Sequence, residues 1–148
     1  MVLRQVAQDA RRIKASSFTI DDEAVVLGPD GLSLFEELSR REGARGAILY
    51  AFDLIEYDGE DMRNRPFLDR KAALAQLLRN TEAGILFNEH IAGDGRVVFA
   101  HACRLGAEGI VSKKIDSLYR SGPCRVWIKV RNPASIAAQR ERSAMWNR

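Results

Sequence analysis

The chain has 148 residues, 46% hydrophobic and 29% charged, an ordinary composition for one globular domain long enough to bury a core. No apolar run approaches the ~20 residues that span a bilayer, and no basic-then-apolar export pattern opens the chain. This argues against a membrane-spanning helix and leaves a cytoplasmic location with free thiols at Cys103 and Cys124 as the expectation. The net charge of +3 is unevenly placed: residues 1–110 hold 14 Lys/Arg against 18 Asp/Glu, whereas residues 111–148 hold 9 against 2. A basic final third can attract the phosphates of a nucleotide or nucleic acid, or simply form a solvated tail.

In chain order, residues 3–14 suit a helix with Val6 and Ile13 inward. Phe18 to Leu27 reads as a strand, ended by the turn Gly28-Pro29-Asp30-Gly31. Leu32 to Glu42 suits an amphipathic helix with Leu34, Phe35 and Leu38 on one face, capped by Ser33 with Glu36 three residues on. Ala47 to Tyr57 is a second strand, closed by Asp58-Gly59. Pro66 opens a helix to about Arg79, with Leu68, Ala72, Leu74, Ala75 and Leu78 as its apolar face. Ile85 to Ile91 is a third strand, broken at Gly93-Asp94-Gly95. Val97 to Leu105 is a helix stopped by Gly106, with Cys103 as a small core residue. Ala107 to Lys113 and Arg125 to Val130 are the last strands, and residues 134–148 suit a loose charged helix. Strands and helices without strict βαβ alternation imply an α+β domain on mostly antiparallel sheet.

The final strands carry polar residues that a buried strand would not want. If Ile128 and Val130 face a core, alternation sends Trp127, Lys129 and Arg131 together to the other face. A carboxylate at Glu108 on one strand and a Lys/Arg pair on its neighbour would suit a metal-bound phosphate. His90 and His101 have no partners at metal-ligand spacing, His101 and Cys103 point to different faces, and no glycine-rich phosphate loop or Ser-His-Asp set is visible.

Glu108-Gly109-Ile110-Val111-Ser112-Lys113 and Trp127-Ile128-Lys129-Val130-Arg131 resemble the fourth and fifth nucleotidyltransferase motifs of ATP-dependent DNA ligases. Tyr119-Arg120-Ser121-Gly122 between them is similar to the bacterial branch. Asp21-Asp22-Glu23-Ala24-Val25-Val26 resembles the third motif, with Asp22 where the family usually has glycine. Tyr50-Ala51-Phe52-Asp53-Leu54 with Asp58-Gly59-Glu60-Asp61 resembles the aromatic strand that follows it. Four motifs in order are a specific signal, where one alone would be weak.

The resemblance implies a partial ligase adenylation domain over residues 1–133, followed by a basic tail over 134–148. It implies ATP and Mg²⁺ as cofactors and nicked DNA as partner, with no membrane association. Glu23 then contacts ribose or metal, against the plain reading of a strand-edge glutamate. Phe52 stacks on adenine, against that of a core phenylalanine. Glu108 holds Mg²⁺, against that of an acid at a helix-to-strand junction. Lys113 is a phosphate contact or a solvated strand-end lysine, and Lys129 and Arg131 draw charge from the α-phosphate. The Asp22 carboxylate would crowd the backbone and repel phosphate.

The family's nucleophilic lysine lies in Lys-x-Asp-Gly, upstream of the third motif, and these 148 residues do not contain it. The nearest match, Lys114-Ile115-Asp116-Ser117, reads as a connector. The expectation is therefore no catalytic residue in this chain and no self-adenylation, with an upstream segment or a partner chain supplying the lysine. A non-catalytic nucleotide- or nucleic-acid-binding remnant and a truncated reading frame are the alternatives.

Overall fold

The computed structural model describes residues 4–29, 31, 33–38, 40, 43–82, 84–135 and 138–139. The chain forms two compact units, Met1–Glu89 with Ile115–Arg120, and His90–Lys114 with Ser121–Arg148.

In the first unit, α1 (Arg4–Arg12) leads into β1 (Phe18–Val25), then α2 (Phe35–Leu38), β2 (Ile48–Tyr57), β3 (Glu60–Asp61), α3 (Phe67–Leu77) and β4 (Ile85–Phe87). β2 is the hub: it pairs antiparallel with β1 and β3 and parallel with β4. Asp58 and Gly59 both take positive φ, 49° and 84°, the backbone that a tight hairpin demands. The core gathers Ile13, Ala51, Leu54, Met62, Leu74, Leu78 and Ile85, with Val6 packed against it, as the apolar pattern of residues 3–14 implies. Leu68 N–H donates to the Ile115 carbonyl at 3.2 Å and Tyr119 N–H to that of Arg63 at 2.9 Å. Those bonds attach Ile115–Arg120 to this unit.

Two details of this unit depart from the sequence reading. Ser33 is not a helix cap, because its backbone bridges Leu27 and the next N–H, that of Leu34, donates to Val26 at 2.7 Å. The chain is committed to a hairpin-like closure there, so α2 starts only at Phe35 and Leu34 is exposed. Leu32, Ser39, Arg41 and Glu42, and the side chains of Phe35 and Glu36, lie outside the described residues. The buried stripe of α3 is Phe67, Arg70, Lys71 and Leu74, continued by Leu78. This i, i+3, i+4, i+7 face includes two cations, while Leu68 and Ala72 face solvent.

In the second unit, α4 (Gly95–Arg104) precedes the antiparallel pair β5 (Gly109–Lys113) and β6 (Trp127–Arg131). Asp94 caps α4 by accepting the Arg96 N–H at 2.8 Å. The expectation that Ile128 and Val130 face a core fails among the described residues: they are 56% and 37% exposed. Two strands and one short helix offer too little apolar surface to enclose them. Cys103 is only half-buried and none of the residues of α4 is fully buried. Of the charged helix expected over 134–148, residues 138–139 are helical, with the Gln139 N–H donating to the Ser135 carbonyl at 3.0 Å. Residues 136–137 and 140–148 lie outside the described residues.

Candidate nucleotide-binding site

The first unit carries the third-motif and aromatic-strand residues. Glu23 sits on β1 opposite Tyr50, with an exposed side chain. Phe52 sits where the β1–β2 register slips: Asp21 pairs with Asp53 and Asp22 with Ala51, so the register steps over Phe52. Such a bulge inserts one residue and re-aims its side chain. It also explains why Ala51 and Leu54, three apart, both enter the core. Phe52 itself is half-buried rather than enclosed.

Beneath the bulge lies a polar cluster. Asp53 and Arg70 are both 0% exposed and form a bidentate pair, Nε to Oδ1 at 2.8 Å and Nη2 to Oδ2 at 2.7 Å. Arg70 Nη1 donates further to the carbonyls of Arg65 and, at 3.1 Å, Ser117. The guanidinium lies 5.7 Å from the Phe67 ring centroid and 5.8 Å from that of Tyr119. Lys71 donates to the carbonyls of Phe52, at 3.0 Å, and Asn88, and sits 4.5 Å from the Phe87 ring centroid. Partial burial and the charges of Asp21 and Asp53 push the Tyr119 phenol above its ordinary range. Desolvation, then the neighbouring Asp21, raises the Asp22 carboxyl, although its side chain still reaches solvent.

The second unit carries the fourth and fifth motifs on one hairpin. The pairs Gly109–Arg131, Val111–Lys129 and Lys113–Trp127 put Lys113, Trp127, Lys129 and Arg131 on one face, as alternation predicts. The Lys113 ammonium lies 4.0 Å from the Trp127 ring centroid, an attractive cation–π distance. Glu108 stands just before β5 with an exposed side chain, and its carbonyl accepts the Asn132 N–H at 2.7 Å. Asn132 is 3% exposed and donates through Nδ2 to Ala107 at 2.9 Å, fastening the end of β6 to the start of β5. Gly109 is obligatory here, since a Cβ would lie 2.2 Å from the Val130 carbonyl oxygen.

A single exposed carboxylate such as Glu108 suits Mg²⁺, which keeps most of its waters. No group of three or more His, Cys, Asp or Glu among the described residues could enclose a metal. His101 Nδ1 instead lies 2.8 Å from Arg104. A cavity of about 260 Å³ between α1, the end of β2 and the end of α3, reached by Arg12, Tyr57 and Arg79, includes none of the motif residues. No helix among the described residues is long and apolar enough to cross a membrane.

Residues 3–131 match the family model described as the ATP dependent DNA ligase domain. The chain belongs to that family. It is 39% identical over 116 residues to the multifunctional non-homologous end joining protein LigD of Pseudomonas aeruginosa, covering 76% of this chain and 14% of that protein. It is 32% identical to the LigD of Mycobacterium bovis, covering 86% of this chain and 16% of the relative. A probable DNA ligase of Sorangium cellulosum is 30% identical over 89% of the chain and 27% of its own length. The chain thus spans well under a third of each of these relatives. Among solved structures, a mycobacterial DNA ligase D complexed with ATP and MES superimposes with a TM-score of 0.71 at 31% identity, covering 88% of this chain and 42% of that one. The ligase domain of M. tuberculosis LigD gives 0.68 at 32% identity, covering 77% and 38%. The α+β architecture is therefore that of ligase domains.

The sequence reading of this ligase-family chain missed Asp53, Arg70, Lys71 and Asn132 as structural polar residues. It also missed Asp9, fully buried in α1, whose Oδ2 accepts the N–H groups of Glu82, Gly84 and Ile85 at 3.3, 2.6 and 3.3 Å. A signal for Arg70 and Lys71 does exist. They fall in the i+3 and i+4 places between Phe67 and Leu74, and Asp53 interrupts an otherwise apolar strand centre.

Proposed function

We propose that this chain is the nucleotide-handling part of an ATP-dependent DNA ligase-type nucleotidyltransferase acting in DNA repair and recombination. The observation that carries the reading is the run of four motifs, in order, within a ligase-family match over residues 3–131. In this reading Phe52 stacks on adenine and Glu23 takes the ribose or metal. Lys113, Lys129 and Arg131 take phosphate oxygens, and Glu108 holds Mg²⁺ together with waters. The bulge at Phe52 and the shared face of Lys113, Lys129 and Arg131 support these roles. Bound Mg²⁺ would lower the charge of the triphosphate.

Covalent catalysis needs its nucleophile, and Lys-x-Asp-Gly does not occur in these 148 residues. The chain by itself therefore binds ATP but forms no AMP-lysine. Nick sealing, the reaction the resemblance implies, requires that lysine from an upstream segment or a partner chain. Names of relatives that specify non-homologous end joining favour double-strand-break repair as the setting.

Incubation with α-labelled ATP and Mg²⁺, followed by denaturing electrophoresis, tests the division of labour. The expected result is reversible nucleotide binding in calorimetry and no label on the denatured chain. An acid-labile adduct on any lysine overturns the inactive assignment and directs mutation first to Lys114. A complete lack of ATP binding by a folded chain overturns the nucleotide-handling assignment.

A further inference from the structure

We propose that the cavity between α1, the end of β2 and the end of α3 binds a small phosphomonoester with a ring-sized apolar body. This site is separate from the motif residues, none of which lines it. Three cations line it, Arg12, Lys14 and Arg79, and none of its ten lining residues carries a carboxylate. Arg12 is already engaged, by Glu82 at 2.8 Å and Asp9 at 3.7 Å. Among the described residues, no ion pair involves Lys14 or Arg79, and both are exposed.

The plain reading is that these cations only offset helix ends. Lys14 stands just past the C-terminus of α1 and Arg79 just past that of α3. Each terminus carries about half a negative charge, so the two together offset only one of the two unengaged cations. About one positive charge is left facing the cavity, enough to favour an anion. The amides of Gln76 and Asn80 stand beside the cations. Together these groups offer more donors than two oxygens can take, and a carboxylate or a nucleic-acid phosphodiester has only two free. The three terminal oxygens of a monoester match them better. The lining also has an apolar part: Ile13, Ala73, Leu77 and Tyr57. Ile13 belongs to the core and the other three pack against it, so this wall is held in place before any ligand arrives. A cavity of about 150 Å³ admits benzene. At about 260 Å³ this one has room for a ring and a phosphate, and inorganic phosphate alone would leave the apolar wall uncovered.

Phenyl phosphate is the probe. Inorganic phosphate, benzoate and a single-stranded oligonucleotide without terminal phosphates are the comparisons. Each is titrated into the full chain and followed by NMR at the backbone amides of Ala73, Leu77 and Thr81. Phenyl phosphate should shift these amides and bind about tenfold more tightly than inorganic phosphate, from burial of the ring. Lys14→Gln/Arg79→Gln should weaken it about fivefold. Arg4→Gln/Arg11→Gln removes two exposed cations of α1 outside the cavity and should leave the affinity unchanged. Should the first double variant fail to fold by circular dichroism, Gln76→Trp, which fills the cavity from an exposed helix position, should abolish the shifts. No shift at these amides in the unmutated chain overturns the site. Equal losses in the two double variants overturn it as well, because the cause is then net charge alone. Benzoate or the oligonucleotide binding there as tightly as phenyl phosphate overturns the monoester assignment.

Discussion

Arg70→Met should be the most damaging single substitution in the first unit. The side chain is fully buried and bidentate to Asp53, with a third nitrogen bonded to the carbonyls of Arg65 and Ser117. Removing one member of such a pair strands the other charge in the interior, at a cost of about 3–5 kcal/mol. The lost Ser117 bond adds roughly 1 kcal/mol. Against the ~5–15 kcal/mol of a typical domain, this removes between about a quarter and all of the stability. Urea unfolding followed by far-ultraviolet circular dichroism would show the midpoint collapsing, or no folded baseline. The companion Asp53→Leu/Arg70→Met removes both charges and should be more stable than Arg70→Met by at least about 2 kcal/mol, because apolar replacement of a buried pair is often neutral. A loss below about 1 kcal/mol in Arg70→Met, or a double variant no better than the single one, would refute this account of the cluster.

Asp22→Asn should stabilise the fold at pH 7 and leave it unchanged at pH 3. The folded-state carboxyl is raised above its ordinary 3.8, so its ionisation weakens the fold as pH rises from 3.8 through the folded value, and urea midpoints at the two pH values measure the difference. The same substitution should tighten ATP binding, since it removes a negative charge from the strand carrying Glu23. Glu108→Ala should abolish the Mg²⁺ dependence of ATP binding in calorimetry while leaving Mg²⁺-free binding in place; equal binding by the unmutated chain with and without Mg²⁺ would remove the metal role. DNA binding should be weak, indifferent to sequence and steeply salt-dependent, losing about 0.9 log units per log unit of salt for each phosphate contact on duplex, and flat affinity between 50 and 200 mM salt, about the range where such losses are measured, would contradict it.

The sequence alone determined the family and the order of its motifs, because those depend on residue identity along the chain. It also placed most strands, since alternation and turn residues such as Asp58-Gly59 act within a few positions. The shared face of Trp127, Lys129 and Arg131 followed from period-2 geometry once β6 formed. Helix α3 was found and Leu74 and Leu78 were rightly placed inward, but Leu68 and Ala72 were misplaced, because counting apolar residues passes over cations that become buried. Arg70 and Lys71 are tolerated inside because partners such as Asp53 and the Phe52 carbonyl, 17 and 19 residues away in sequence, meet them there. The bulge at Phe52 was equally hidden: a register slip belongs to the pairing of two strands and to neither strand alone. The exposure of Ile128 and Val130 likewise depends on how much apolar surface neighbouring elements bring, which alternation cannot report. Local patterns set which elements form; only tertiary contact decides which charges can be buried and where each side chain of a strand is aimed.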